Sequence, residues 1–282
     1  MRAGRPNLIA PADRWLVLLA VCIPVAGGCA GTQKPFADLF KPLVPMTPIE
    51  AVHNAFNVYD ADVRRDAIAL LAAAPFGGEE KYVRMYRVLV DDPDPTVRAT
   101  CIKALGMHGD VEDAQTLIDA MSNKQESPIV RWEAVKGLRK IHHPGAVGPL
   151  IAAADDTREE DADVRIAAAE ALGQYPQPAV FQALVGALDD RDLGVALAAH
   201  RSLGALTGRD FAMDGSRWLI WAQEHSGRLF EHQQPYTYKP YPKSKGMFDK
   251  MKFWKPDKPV EERVPKGLEP TTAATASTVS RP

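Results

Sequence analysis

One arrangement of apolar and polar positions occurs five times along the chain, at intervals of 31 to 34 residues. Each copy has a valine, a small residue four positions later and a leucine eight positions later. Offsets of 0, 4 and 8 lie on one face of an α-helix, so each copy predicts a helix with one buried stripe. The valines are Val63, Val97, Val130, Val164 and Val195.

A second apolar segment accompanies each stripe and closes at an acidic or amide turn. The segments RVLVDD, LIDAMSN, LIAAADD and LVGALDD end at Asp92, Asn123, Asp156 and Asp190. Prolines and glycines in the intervening stretches mark turns. A period of two helices and two turns predicts an all-α solenoid, and no alternating strand pattern competes with it.

The small residue at the centre of each stripe lets a neighbouring helix approach closely. In the second copy this residue is Cys101, which we interpret as a packing thiol rather than a reactive one. Cys22 lies in the apolar N-terminal run and Cys29 has a separate role described below, so we predict no intramolecular disulfide.

The repeated unit D-x-x-V-R-x-x-[AC]-x-x-A-L-G reads DPTVRATCIKALG from Asp94 to Gly106 and DADVRIAAAEALG from Asp161 to Gly173. It resembles the HEAT repeat, in the short bacterial form also found in phycobilisome lyases, over residues 60–208. The resemblance implies a right-handed α-solenoid of about five helical hairpins whose Val-Arg helices line the concave face. It also implies that the repeated Asp and Arg tie neighbouring repeats together, which gives structural roles to Arg64, Arg98, Arg131 and Arg165.

A solenoid needs a cap at each end, because a terminal repeat has one uncovered face. Thr47, Pro48 and Glu50 form a capping-box pattern that starts a helix at the front. At the back, Asp214 can N-cap a helix that carries Trp218 and Trp221. Two such tryptophans could form a ligand platform, but we favour burial against the fifth repeat. The capped solenoid should cover residues 47–227.

The first 28 residues have the order of a secretory signal peptide. Three arginines precede the apolar run Trp15–Gly27, and small residues follow it. Thirteen residues are too few to cross a bilayer comfortably, because a spanning helix needs about 20. Residues 1–28 are therefore predicted to be a signal that is removed from the mature protein.

The signal ends in Ala-Gly-Gly-Cys, which resembles the bacterial lipoprotein box, whose cysteine is lipidated and becomes the new N-terminus. Ala26 stands where the pattern prefers leucine, so an ordinary signal peptide is the alternative. The resemblance implies lipid attachment at Cys29, and Ala30 after it favours the periplasmic face of the outer membrane over the inner membrane. Residues 29–46 then form a proline-rich tether to the solenoid.

Motifs for catalysis or metal binding are absent from the sequence. It holds no P-loop, G-x-G-x-x-G, H-E-x-x-H, G-x-S-x-G or C-x-x-C. We interpret His142-His143 as an exposed turn, and the acidic stretch from Asp155 to Asp163 as a solvated loop without EF-hand spacing. We therefore predict no cofactor, no metal and no enzymatic activity. A lyase-like enzyme that uses the groove is the alternative.

The remaining candidate site is the concave face of the solenoid. Residues two, three and six positions after each valine should line it, and Trp132 has the chemistry of a binding hot spot. Packing of Trp132 on a neighbouring repeat is an equal alternative. These positions predict a scaffold that binds a protein or peptide partner at the envelope. The proposed partner-binding residues are Lys103, Trp132, Glu133, Lys136, Glu170 and Arg201.

The C-terminal segment, residues 228–282, is basic and aromatic, and from Glu269 it should be disordered. From Tyr236 to the end there are ten Lys+Arg and five Asp+Glu, against 21 and 30 in residues 29–235. This segment could contact anionic lipid or cell wall, or pack back onto the acidic body. Export argues against nucleic acid as a partner. The proposed contact residues are Lys245, Met247, Phe248, Met251, Phe253 and Trp254.

Overall fold

Eleven α-helices form the part of the chain that the computed structural model describes, residues 46–240 and 261–268. No strand accompanies them in these residues, which confirms the predicted all-α fold. In chain order the helices are α1 Pro48–Ala55, α2 Ala61–Ala73, α3 Glu80–Leu89, α4 Pro95–His108, α5 Ala114–Ser122, α6 Pro128–Leu138, α7 Val147–Ala154, α8 Ala162–Leu172, α9 Pro178–Ala187, α10 Leu193–Thr207 and α11 Gly215–Glu224. None of these helices is long and apolar enough to cross a membrane.

The repeated aspartates start the Val-Arg helices. Asp60, Asp94, Asp161 and Asp192 are N-caps of α2, α4, α8 and α10, and each carboxylate accepts a hydrogen bond from a backbone N–H of the first turn. Such a cap stabilises a helix by about 1 kcal/mol. At the front of α1, Thr47 and Glu50 form the predicted capping box.

The helices pair into five hairpins, α1–α2, α3–α4, α5–α6, α7–α8 and α9–α10. The second helix of each hairpin carries the repeat valine, which arginine follows in the first four hairpins. These second helices contact one another far more closely than the first helices do, so they form the inner, concave layer. The front helix α1, predicted as a separate cap, packs against α2 as the first half of the first hairpin.

The inner layer is tight because its central positions are small. Cys101 and the equivalent alanines are fully buried, which confirms the predicted packing role of this thiol. At the crossing of α4 and α6, a Cβ added to Gly106 would lie 2.7 Å from the Cα of Gly137. Only a residue without a side chain allows this approach, which is why the repeated Ala-Leu-Gly ends in glycine here.

The closing helix α11 covers the last hairpin through Trp218. This side chain is fully buried, with its ring 6.3 Å from Phe181 of α9 and 4.9 Å from Phe211. Its indole N–H donates to the carbonyl of Ala212 at 3.0 Å. The predicted capping role of Trp218 is thus confirmed, whereas Trp221 is only partly buried.

Candidate functional site

A ladder of ion pairs runs along the N-terminal ends of the second helices. Each arginine of the repeated Val-Arg pair holds a carboxylate of the next hairpin with two hydrogen bonds. The pairs are Arg64–Asp92 (2.7 and 2.8 Å), Arg98–Glu126 (2.8 and 2.6 Å), Arg131–Glu159 (3.1 and 2.8 Å) and Arg165–Asp190 (2.8 and 3.0 Å).

Each arginine also binds the loop that precedes its own helix. Arg98, for example, donates to the carbonyl of Asp92 at 2.6 Å, while the carboxylate of Asp92 accepts from Arg64. One loop therefore joins two successive arginines, and the ladder is continuous. It ends at the fifth hairpin, where Ala196 replaces the arginine.

The ladder confirms the structural role predicted for the arginines and corrects the identity of their partners. The aspartates of the repeated motif are N-caps, whereas Asp92, Glu159 and Asp190 lie two residues before them. Glu126 lies one residue before Ser127, the N-cap of α6. Burial by itself would raise the pKa of Glu159, but hydrogen bonds from Arg131, from the N–H of Asp161 and from Lys124 outweigh it and leave the pKa lowered. The sequence suggested that Glu159 belongs to a solvated acidic loop. The structure instead buries this side chain in the ladder.

The opposite edge of the inner layer is covered by a C-terminal strap, which we define as residues 233–240 and 261–268. Its two pieces join through reciprocal backbone hydrogen bonds between Tyr238 and Arg263, at 2.8 and 2.9 Å. The strap then crosses four hairpins in reverse order. Its contacts are Gln234 N to Ala205 O (2.8 Å), Tyr236 Oη to Glu170 O (3.1 Å), Lys266 N to Lys140 O (2.8 Å) and Lys266 Nζ to Gly109 O.

These contacts satisfy backbone carbonyls that the ends of the second helices leave without helical partners. Other helix-end carbonyls are served from within the solenoid, since Ala72 O accepts from His108 at 2.7 Å, Leu138 O from Gln174 at 2.9 Å and Ala169 O from Ser202 at 2.7 Å. The strap donates to carbonyls at or just after the ends of α4, α6, α8 and α10. The described parts of the C-terminal segment therefore pack on the solenoid, which was one of the two alternatives left open by the sequence.

Between the two edges lies the inner face, where the structure places the predicted partner-binding residues. The ammonium of Lys136 lies 3.5 Å from the centre of the Trp132 ring and 3.0 Å from Glu133. Trp132 is partly buried, packing against the core, and Glu133 is buried rather than exposed in the groove. The tryptophan is thus held in place by a cation–π contact.

A second cluster on the inner face is centred on Glu170. Its carboxylate pairs with Arg139 at 2.5 Å and with Arg201 at 3.2 Å, which joins α6, α8 and α10. Lys103 lies on α4 and is exposed. Of the six predicted residues, five therefore line one surface and Glu133 lies beneath it.

The sequence reasoning missed an apolar stripe beside these charges. We define the stripe as Ile129, Trp132, Ile166, Leu193 and Leu197. Ile129 on α6 is 47% exposed, and Leu193 and Leu197 on α10 are 65% and 42% exposed. Ile166 on α8, between these two helices, is partly buried. The signal was present in the sequence, because all five residues lie within two positions of the repeat valines.

The other candidates for chemistry have structural roles. His142 is half-buried rather than exposed, because its ring stacks on Tyr175 at 4.6 Å, and this burial lowers its pKa. Within residues 46–240 and 261–268, no three His, Cys, Asp or Glu side chains are placed to hold a metal ion. Cys29 and the six tail residues proposed to contact lipid lie outside the described residues.

Together these features define an α-solenoid with two braced edges and an exposed inner face. A family model of HEAT repeats matches residues 49–127 and again 123–204, which is more than half of the chain. The protein belongs to the HEAT-repeat family. No protein with curated annotation matches the sequence.

Several solved structures are similar to this chain at low identity. An engineered protein is 20% identical over 64% of this chain and 86% of its own, with a TM-score of 0.45. A designed armadillo repeat protein in complex with the peptide (KR)4 is 18% identical over 65% and 94%, with a TM-score of 0.45. The CpcE–CpcF complex of phycocyanin lyase from Nostoc is 20% identical over 64% and 89%, with a TM-score of 0.30. None of these similarities bears on function.

Proposed function

We propose that this protein is a non-enzymatic, membrane-anchored scaffold that binds a protein or peptide partner at the bacterial envelope through its inner face. The observation that carries the proposal is the exposed apolar stripe beside clustered charges. Large apolar side chains at the surface mark interaction sites when they are contiguous. A partner could bury them without reorganising the frame.

The inner layer of helices supports this proposal because it is held in place before any partner binds. The arginine ladder fixes one edge of the inner layer and the strap fixes the other. Binding to a surface that is already ordered avoids much of the entropy lost on association. The buried arginines of the second helices serve the ladder, which favours a scaffold over an enzyme.

Site-specific photo-crosslinking in cells tests the proposal. A photoreactive residue at position 197 on α10, inside the groove, should yield a discrete adduct. The same residue in place of Val88, an equally apolar and more exposed position on the outer helix α3, is the matched control and should yield none. Leu197→Ser, combined with the crosslinker at position 193, should reduce the adduct. Equal adducts from positions 197 and 88 would refute binding at the inner face.

The membrane anchor rests on the sequence of residues 1–29. Metabolic acyl-chain labelling of the wild type beside Cys29→Ala, followed by membrane fractionation, tests it. We expect label on the wild type alone and the variant in the soluble fraction. Label on Cys29→Ala, or no label on the wild type, would contradict the proposed lipid-anchored localisation at the envelope. The proposal that the inner face binds a partner would remain open.

A second candidate, an adhesin that contacts lipid or cell wall, draws support from the Tyr238–Arg263 pairing. These two residues flank the basic segment 241–260 in the sequence and pair with each other in the strap. Replacing 241–260 with a short Gly-Ser linker keeps the strap intact and removes the proposed contact residues. Unchanged binding to cell-wall sacculi and to vesicles of 30% phosphatidylglycerol would exclude the adhesin.

A further inference from the structure

Positive charge is concentrated on the inner face toward the C-terminal turns of its helices. Among the described residues there, five cations lie together with the two carboxylates Glu133 and Glu170. Both carboxylates already pair with neighbouring cations, at 3.0, 2.5 and 3.2 Å. We define the basic cluster as Lys103, Lys136, Arg139, Lys140 and Arg201.

The members of the basic cluster lie close enough to act on one another. Burial is the main reason why the pKa of Lys140 is lowered to about 7, and Lys136, Arg139 and Lys103 lower it further. The pKa of Lys136 is also lowered, by burial and then by Lys103 and Arg139. The rest of the solenoid has the opposite charge balance, because residues 29–235 hold 21 Lys+Arg against 30 Asp+Glu.

The basic cluster adjoins the apolar stripe on the same helices. Ile166 of α8 lies against the start of α10, where a Cβ on Gly194 would be 2.8 Å from its Cδ1. The apolar surface is therefore continuous between these two helices. Going from the N-terminal to the C-terminal turns of the inner layer, a partner would meet aliphatic side chains first and cations next.

From this juxtaposition we infer that the inner face binds an acidic amphipathic protein segment, with apolar side chains on the stripe and carboxylates on the basic cluster. The inference rests on the proposed function and names the chemistry of its partner. Apolar burial would provide most of the affinity, and the complementary charges would fix orientation and speed association.

The dimensions of the inner face suit such a segment. Neighbouring packed helices lie about 8–10 Å apart, so the three steps from α4 to α10 span roughly 27 Å. A helix with a rise of 1.5 Å per residue covers this span with about 18 residues. An extended chain at about 3.3 Å per residue covers it with about eight.

An unbiased peptide selection tests the inference. Random 18-residue peptides displayed on phage are selected on the full-length protein in detergent, and enriched peptides are synthesised for affinity measurements. We expect enrichment of Asp and Glu together with Leu, Ile, Phe or Trp. The affinity should fall at least tenfold in the charge-reversal variant Lys103→Glu/Arg201→Glu and should weaken with added salt.

The matched control reverses two exposed charges on the outer helix α3, Lys81→Glu/Arg84→Glu, and should leave the affinity unchanged. Both double variants change exposed side chains, so both should retain the far-UV spectrum and melting temperature of the wild type. Charge-reversed synthetic peptides, with Lys in place of each Asp and Glu, should not bind.

The outcomes separate the inference from the proposed function. Enriched peptides that are basic or neutral, yet lose affinity on Leu197→Ser, would overturn the acidic partner and leave the scaffold standing. Peptides insensitive to every inner-face variant would overturn both. Binding of phosphatidylglycerol vesicles that needs Lys103 and Arg201, and that acidic peptides do not compete, would assign the cluster to a lipid surface and overturn the inference.

Discussion

The Arg165–Asp190 pair provides a quantitative test of the ladder. The two side chains are 1% and 2% exposed and share two hydrogen bonds. Changing Arg165 to Met leaves the Asp190 carboxylate buried, and among the described residues its remaining hydrogen-bond donor is the N–H of Asp192, at 2.7 Å. Removing one partner of a buried pair costs about 3–5 kcal/mol. We expect Arg165→Met to lower the free energy of unfolding by that amount.

The double variant Arg165→Met/Asp190→Leu should recover most of this loss, because a buried pair can be replaced by apolar residues at little cost. It should remain about 1–2 kcal/mol below the wild type. The carbonyls of Glu159 and Glu160 lose their hydrogen bonds from Arg165, at 3.0 and 2.9 Å.

Urea unfolding followed by far-UV circular dichroism measures these differences, provided that the slope with denaturant is unchanged. Arg201→Met is the matched control, since the Arg201 side chain is largely exposed in its pair with Glu170 and should contribute below about 1 kcal/mol. A loss below about 1 kcal/mol in Arg165→Met, or a double variant as unstable as the single one, would refute the reasoning.

Three further predictions follow from other parts of the frame. Gly106→Ala should cost about 1–3 kcal/mol by forcing α4 and α6 apart, whereas Gly186→Ala in α9, where a Cβ meets nothing within 4 Å, should stabilise by about 0.5–1 kcal/mol. Because the pKa of Glu159 is lowered, the stability it contributes is present above its ordinary value of 4.5 and is lost as the pH falls through the lowered value. Selected acidic peptides should bind more tightly at pH 6 than at pH 8, since Lys140 gains its charge as the pH falls through about 7.

Each of these predictions has a distinct failing result. Equal melting temperatures for the two glycine variants would contradict the close helix crossing. Acid unfolding of Glu159→Gln with the same pH profile as the wild type would exclude that carboxylate from the ladder. Peptide affinity whose pH dependence persists in Lys140→Met would assign it to another group.

The second helices of the repeats were predictable because the buried face of each is marked by apolar or small residues at offsets 0, 4 and 8 of its own sequence. The arginines of the ladder were predictable only through the family resemblance, and their partners were not. Arg64 and Asp92 are 28 residues apart, and Glu126 and Glu159 take the place of aspartate in the middle hairpins. No local pattern distinguishes these carboxylates from solvated ones.

The strap could not be predicted from periodicity because it has none. Several of its bonds to the solenoid, such as Gln234 N to Ala205 O and Lys266 N to Lys140 O, join backbone groups, and such bonds do not depend on residue type. The side chains that contribute, such as Tyr236 and Lys266, are those that also mark a tail able to bind lipid. The apolar stripe was missed for a different reason. Its residues lie within two positions of the buried repeat valines, and the sequence alone does not show which of these neighbouring apolar residues are exposed.

The strap also changes how the molecule folds. In an array held only by neighbouring repeats, stability is close to one-dimensional and an end can unravel by itself. Here Lys266 contacts Gly109, 157 residues earlier in the chain, so the second hairpin depends on residues near the C-terminus. Such distant contacts slow folding, and this one cannot form until the chain has been synthesised as far as Lys266. The second hairpin therefore gains this brace only after all the repeats that follow it have been made.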